Sequence, residues 1–98
     1  MGASLDVRKV HSTSREEVRK IYEKIWEEAR EYYGNNPYSG SLATLQKEID
    51  FKYITFDSRE KAEDYIAEHQ EKWGNAMAVI VKEGNAEPYT LVGGWCAS

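Results

Sequence analysis

Residues 76–82 read A-M-A-V-I-V-K, and this run constrains the fold more than any other part of the chain. It is almost continuously apolar and β-branched in its second half. Such a segment predicts a central strand buried on both faces or close to it. Two amphipathic helices are available to cover the sheet around it. Ser14-Arg15-Glu16-Glu17 has the form of a capping box, in which the serine hydroxyl takes an N-terminal amide and Glu17 reaches back. After it, Val18, Ile21, Tyr22, Ile25, Ala29, Tyr32 and Tyr33 recur at helical spacing and predict one buried stripe. Eleven of the seventeen residues 15–31 are charged and fill the opposite face, and Gly34 supplies a left-handed stop. A second cap at Asp57-Ser58-Arg59-Glu60 opens a helix with Ala62, Tyr65, Ile66, His69 and Trp73 inward, ended by Gly74.

The remaining segments read as strands and turns. Residues 4–11 start with Leu5 and Val7 on one face and shift phase at Val10. Residues 41–45 predict a short strand, and 50–56 (D-F-K-Y-I-T-F) a clearer one, rich in aromatic and β-branched side chains. Glu83-Gly84-Asn85-Ala86 predicts a hairpin turn into a last strand over 89–96. Ninety-eight residues hold one core, so the expectation is a single α+β domain over 1–98. Its expected form is a two-layer sandwich with both helices on one face of a mainly antiparallel sheet of four to five strands, a split β-α-β relative with a C-terminal hairpin.

Charge and motif content exclude several functions. A net charge of −4 opposes a binder of DNA or RNA duplexes, which needs a basic stripe to meet phosphates. No apolar run approaches the ~20 residues of a transmembrane helix, so no membrane partner is expected. Cys96 is the lone cysteine, which leaves no internal disulfide and no paired-cysteine metal site. HxxxH, HExxH and EF-hand spacings are absent, and no metal or other cofactor is expected. His11 and His69 are the only histidines. His69 falls on the buried stripe of the second helix, and His11 sits at a strand end; neither has a partner at a recognisable catalytic spacing. Cys96 reads most simply as a strand residue.

Two uncharged stretches stand out in a chain that is 31% Asp, Glu, Lys and Arg. The first runs from Tyr32 to Gln46, Y-Y-G-N-N-P-Y-S-G-S-L-A-T-L-Q. Tyrosine faces, asparagine amides, hydroxyls and backbone-freeing glycines are the materials of a recognition surface. Tyrosines stack on a nucleobase for roughly 1–3 kcal/mol per base, and amides around Ser39-Gly40-Ser41 can form an anion nest. The alternative is a packed turn whose tyrosines cover the sheet edge. The second stretch, residues 88–98, carries Gly93-Gly94 inside a strand, which implies that something approaches the backbone there: a helix, a partner subunit or a ligand. The expected ligand-binding set is Tyr33, Asn36, Tyr38, Ser39, Ser41 and Trp95, with Arg8 or Lys47 answering a phosphate.

Met1-Gly2-Ala3, Tyr33-Gly34-x-x-Pro37-Tyr38-Ser39-Gly40, Lys72-Trp73-Gly74 with Ala78 after it, and Gly94-Trp95-Cys96 together resemble a family of small proteins encoded by tailed phages and prophages. That resemblance implies an accessory protein in the host bacterial cytoplasm, of a kind that counters host defence. With the residue pattern, it leads to a non-enzymatic protein that binds and sequesters a small nucleotide-like ligand, as a homo-oligomer. The alternative expectation is a protein-binding inhibitor of a host defence complex. A small hydrolase acting through His11 or Cys96 comes third.

Overall fold

The computed structural model describes residues 3–33, 44–71 and 73–97, without the side chains of Tyr33 and Ala97. The elements run β1 (Ala3–Val10), α1 (Arg15–Tyr33), β2 (Gln46–Phe56), α2 (Arg59–His69), β3 (Asn75–Val81) and β4 (Tyr89–Ala97). The four strands form one sheet in the order β1-β4-β3-β2. β4 is antiparallel to both neighbours, and β2 is parallel to β3. The α+β class, the two helices and the mainly antiparallel sheet expected from the sequence are all present.

The helices, however, cover opposite faces, so the sandwich has three layers. On β3, Ala76 and Ala78 pack with Val18 and Tyr22 of α1, while Met77, Val79 and Val81 pack with Ala62 and Ile66 of α2. The topology accounts for this. The path from β1 to β2 crosses the sheet in one direction and the path from β2 to β3 returns in the other. Two crossovers of the same hand that run in opposite directions put their helices on opposite faces. Double cover is also what the apolar sequence of β3 requires, since both of its faces would otherwise meet water.

Each helix begins near its expected cap. The Ser14 carbonyl accepts the Val18 amide at 2.9 Å, and the Ser12 hydroxyl accepts the Ser14 amide at 3.1 Å. The Ser58 hydroxyl accepts the Lys61 amide at 3.3 Å. In α1 the buried stripe is Val18 and Tyr22, flanked by half-buried Ile25 and Trp26, whereas Ile21 is exposed and Tyr32 is 82% exposed. The Trp26 indole donates to the Leu45 carbonyl at 2.9 Å and the Tyr22 hydroxyl to the Gln46 carbonyl at 3.2 Å. These two bonds fasten α1 to the start of β2.

The second helix stops at His69, short of the expected Gly74. His69 is exposed against the Tyr65 ring at 4.3 Å, and Trp73 is 42% exposed with φ +71°. Both therefore leave the inward stripe predicted for them. At the helix end Gln70 caps α2, its backbone N–H donating to the Ile66 carbonyl, and its side chain turns to the sheet, accepting the Trp95 N–H and donating to the Asn75 carbonyl. Of the strand expected over residues 41–45, 41–43 lie outside the described residues, and Thr44 and Leu45 are buried ahead of β2.

Candidate functional site

The flank of α1 that faces β1 leaves an open groove of about 370 Å³, lined by Arg8, Ile25, Glu28, Ala29 and Tyr32. Its construction follows from two periodicities. Residues 25, 28, 29 and 32 share one side of a helix. Arg8 lies on the same sheet face as Val10, which packs against α1. The result is an apolar floor from Ile25 and Ala29, an exposed ring at one end, and one cation and one anion on the walls. Arg8 is 47% exposed and leans on Asp6, with Nε donating to Oδ1 at 3.2 Å and Nη2 to Oδ2 at 3.4 Å. That pair engages two of the five N–H donors of the guanidinium.

Lys47, the other expected phosphate partner, is on the far flank of α1. Its ammonium lies 3.2 Å from Glu23 and 3.1 Å from Glu27, and 5.8 Å from the Trp26 ring centroid. Its pKa is raised, first by the hydrogen bond to Glu27 and then by that to Glu23. Lys47 thus links β2 to α1 and is separated from Arg8 by the width of the helix.

Trp95 lies over the opposite face of the sheet. Its indole N–H donates to the Ala67 carbonyl at 2.7 Å and its backbone N–H to Gln70 Oε1 at 2.6 Å. The side chain secures α2 and does not meet Arg8 or Lys47. Tyr33 closes α1, and Asn36, Tyr38, Ser39 and Ser41 lie outside the described residues. Of the expected ligand set, and among the described residues, Arg8 faces the groove while Lys47 and Trp95 do not. Glu28 and Tyr32 join it there: Tyr32 belongs to the stripe expected to be buried and Glu28 to the charged face, and the i, i+4 spacing that relates 28 to 32 is the signal that places them side by side.

The close approach implied by Gly93-Gly94 comes from within the chain. A side chain on Gly93 would overlap the Asp6 carbonyl and Val7 Cα of β1, and one on Gly94 would overlap Gln70. Gln70 is buried, and its amide Nε2 donates to the Glu71 carbonyl at 2.6 Å and the Asn75 carbonyl at 3.1 Å.

Among the remaining chemistry-bearing groups, Cys96 is fully buried against α1, and burial pushes its thiol up to about 11. It is therefore a neutral thiol at physiological pH. His11 ends β1 in an exposed bend. A second open depression of about 290 Å³, beside Asp50, His69, Glu71 and Asn75, has walls of predominantly acidic charge, and among the described residues no group of three or more His, Cys, Asp or Glu is arranged to hold a metal ion. No described helix is long and apolar enough to cross a membrane. Comparison of the chain with protein-family models, with curated proteins and with solved structures gives no match.

Proposed function

We propose that the protein is a non-enzymatic binding module whose α1–β1 groove takes a small nucleotide-like ligand. The observation that carries this reading is the convergence of Arg8, Glu28 and the 82% exposed Tyr32 on one groove with an apolar floor. Each wall has a counterpart in such a ligand. The Tyr32 ring is a stacking platform for a planar base. Glu28 accepts from sugar hydroxyls or ring N–H groups, and the N–H donors of Arg8 not used on Asp6 meet a phosphate. The resemblance to small phage proteins makes a signalling nucleotide the ligand class of first choice and its sequestration the consequence of binding.

The experiment is a thermal-shift panel of linear and cyclic nucleotides on the wild-type chain and on Tyr32→Ala. The linkage between binding and unfolding predicts a rise in Tm of several degrees at ligand concentrations well above Kd. Tyr32→Ala should abolish the rise, read against the variant's own unliganded Tm. No shift with any nucleotide at millimolar concentration overturns the reading.

A further inference from the structure

The sheet has two outer edges, and they differ in kind. β2 pairs with β3 irregularly: Gln46 and Ile49 oppose Asn75 and Ala76, and Phe51 and Thr55 oppose Ala78 and Ile80. Each interval inserts two extra residues into β2. The second pushes out Tyr53, which is 71% exposed, together with Ile54. Bulges of this sort bend an edge away from further pairing. β1 is the opposite case. All eight of its residues pair with β4 in unbroken antiparallel register, from Ala3 opposite Ala97 to Val10 opposite Thr90. It contains no proline, and among the described residues no strand lies on its outer side.

The register shows which groups point outward. The Asp6 carbonyl is directed at Gly93 of β4. By the alternation of an antiparallel ladder, the N–H and C=O of Ala3, Leu5, Val7 and Lys9 then face away from β4. Asp6 and Arg8 flank Val7 on either side, with their side chains on the same face as the α1 groove.

We infer that β1 pairs antiparallel with β1 of a second copy of this chain about a two-fold axis at Val7, joining two sheets into one of eight strands. With Val7 opposite Val7 as a hydrogen-bonded pair, Asp6 of each copy falls opposite Arg8 of the other. Those are non-hydrogen-bonded positions, where facing side chains approach most closely. Opposite charges thus meet twice in this register. The arrangement is isologous, as a two-fold dimer demands. The register shares Arg8 with the α1–β1 groove, so its test is made without nucleotide and reads association alone.

Sedimentation equilibrium on the full chain tests this. The wild type should dimerise. Arg8→Asp places two carboxylates opposite each other on both sides of the axis and should weaken dimerisation about tenfold or more. The exchange Asp6→Arg with Arg8→Asp restores opposite charges and should restore the dimer. A wild type that stays monomeric at millimolar concentration overturns the inference. So does an Arg8→Asp variant that dimerises as tightly as wild type, or a folded exchange variant with no recovery. If the charge variants do not fold, Val7→Pro decides: the Val7 N–H faces away from β4, so proline removes a bond of the dimer and none of the sheet; loss of the dimer by a folded variant supports the register, and a folded variant that dimerises as tightly as wild type overturns it.

Discussion

The side chain of Gln70 occupies the space that a Cβ on residue 94 would need, so a glutamine at one position and a glycine at the other form a single fitted pair. Gln70 acts as a short piece of strand. Oε1 accepts the Trp95 N–H at 2.6 Å on the side of β4 where β3 has run out, and Nε2 returns to the Asn75 carbonyl at the first residue of β3. One side-chain amide thereby extends the β3–β4 ladder from the residue that caps α2.

The pair predicts a specific pattern of non-additivity. Gln70→Ala leaves the Trp95 amide without its partner and should cost roughly 1–3 kcal/mol. Gly94→Ala displaces the glutamine and should cost a similar amount. The double variant should be destabilised by clearly less than the sum, because once the glutamine is gone the new methyl has nothing to strike. Urea unfolding of the four proteins checks this, and strict additivity would show that the two positions act independently.

At Gly93 the obstacle is backbone rather than a side chain. An added methyl would overlap the Asp6 carbonyl and crowd Val7 Cα, and neither can swing aside. Gly93→Ala should therefore be worse than Gly94→Ala, at or above the upper end of the roughly 1–3 kcal/mol that overpacking costs. It should also loosen β1 from β4, visible as faster amide exchange at Asp6 and Arg8, the β1 residues nearest Gly93 whose amides face β4.

How far the chain could be read beforehand follows the reach of each signal. Local patterns carried well: the apolar run of β3, the cap at Ser58 and the hairpin turn at Glu83–Ala86, whose closing bond joins the Ala86 N–H to the Glu83 carbonyl at 3.0 Å. The paired glycines announced a close backbone approach, but the approaching groups, Gln70 and β1, lie 24 and more than 80 residues away in sequence. The end of α2 has no local signature, since nothing breaks helical periodicity before Gly74 and the side-chain partners of Gln70, Asn75 and Trp95, sit on β3 and β4. The separation of Trp95 from Arg8 and Lys47 is hidden from the sequence for a related reason. The face on which a strand residue lies relative to a helix depends on strand order and crossover direction, and neither has a local signature. In α1, meanwhile, three of the seven stripe residues, Ile25, Ala29 and Tyr32, line the groove, since helical spacing identifies a side but not the width of what covers it.

Trp73 occupies a turn position that ordinarily belongs to glycine. The Gly74 N–H donates to the Glu71 carbonyl at 2.9 Å, closing a four-residue turn, and Trp73 is its third residue with φ +71°. A left-handed conformation costs a side-chain-bearing residue roughly 1–2 kcal/mol, whereas glycine adopts it freely. Comparing Trp73→Gly with Trp73→Ala isolates the strain, because both remove the ring. The glycine variant should be the more stable by about 1 kcal/mol, a difference in Tm of about 4–8 °C for a domain of this size.

Two buried acids on the α1 face make the fold sensitive to alkaline pH. Burial pushes the Cys96 thiol from 9.0 up to about 11, and it pushes the Tyr22 hydroxyl further still above its usual 10.0. In each case the folded chain holds a proton that the unfolded chain releases at lower pH. The unfolded state therefore binds fewer protons above about pH 9, and stability falls as pH rises. The Cys96 contribution is intact below pH 9 and is lost as pH rises toward 11, with the Tyr22 contribution following from pH 10 upward. Tyr22 carries a further consequence, since its ionisation removes the proton it donates to the Gln46 carbonyl. Urea midpoints should be flat through neutral pH and decline from about pH 9. Cys96→Ala should delay the onset of the decline by about one pH unit, to where Tyr22 takes over, and Tyr22→Phe should flatten its steeper upper part. A midpoint that stays constant to pH 11 in the wild type would mean that neither group is buried in solution.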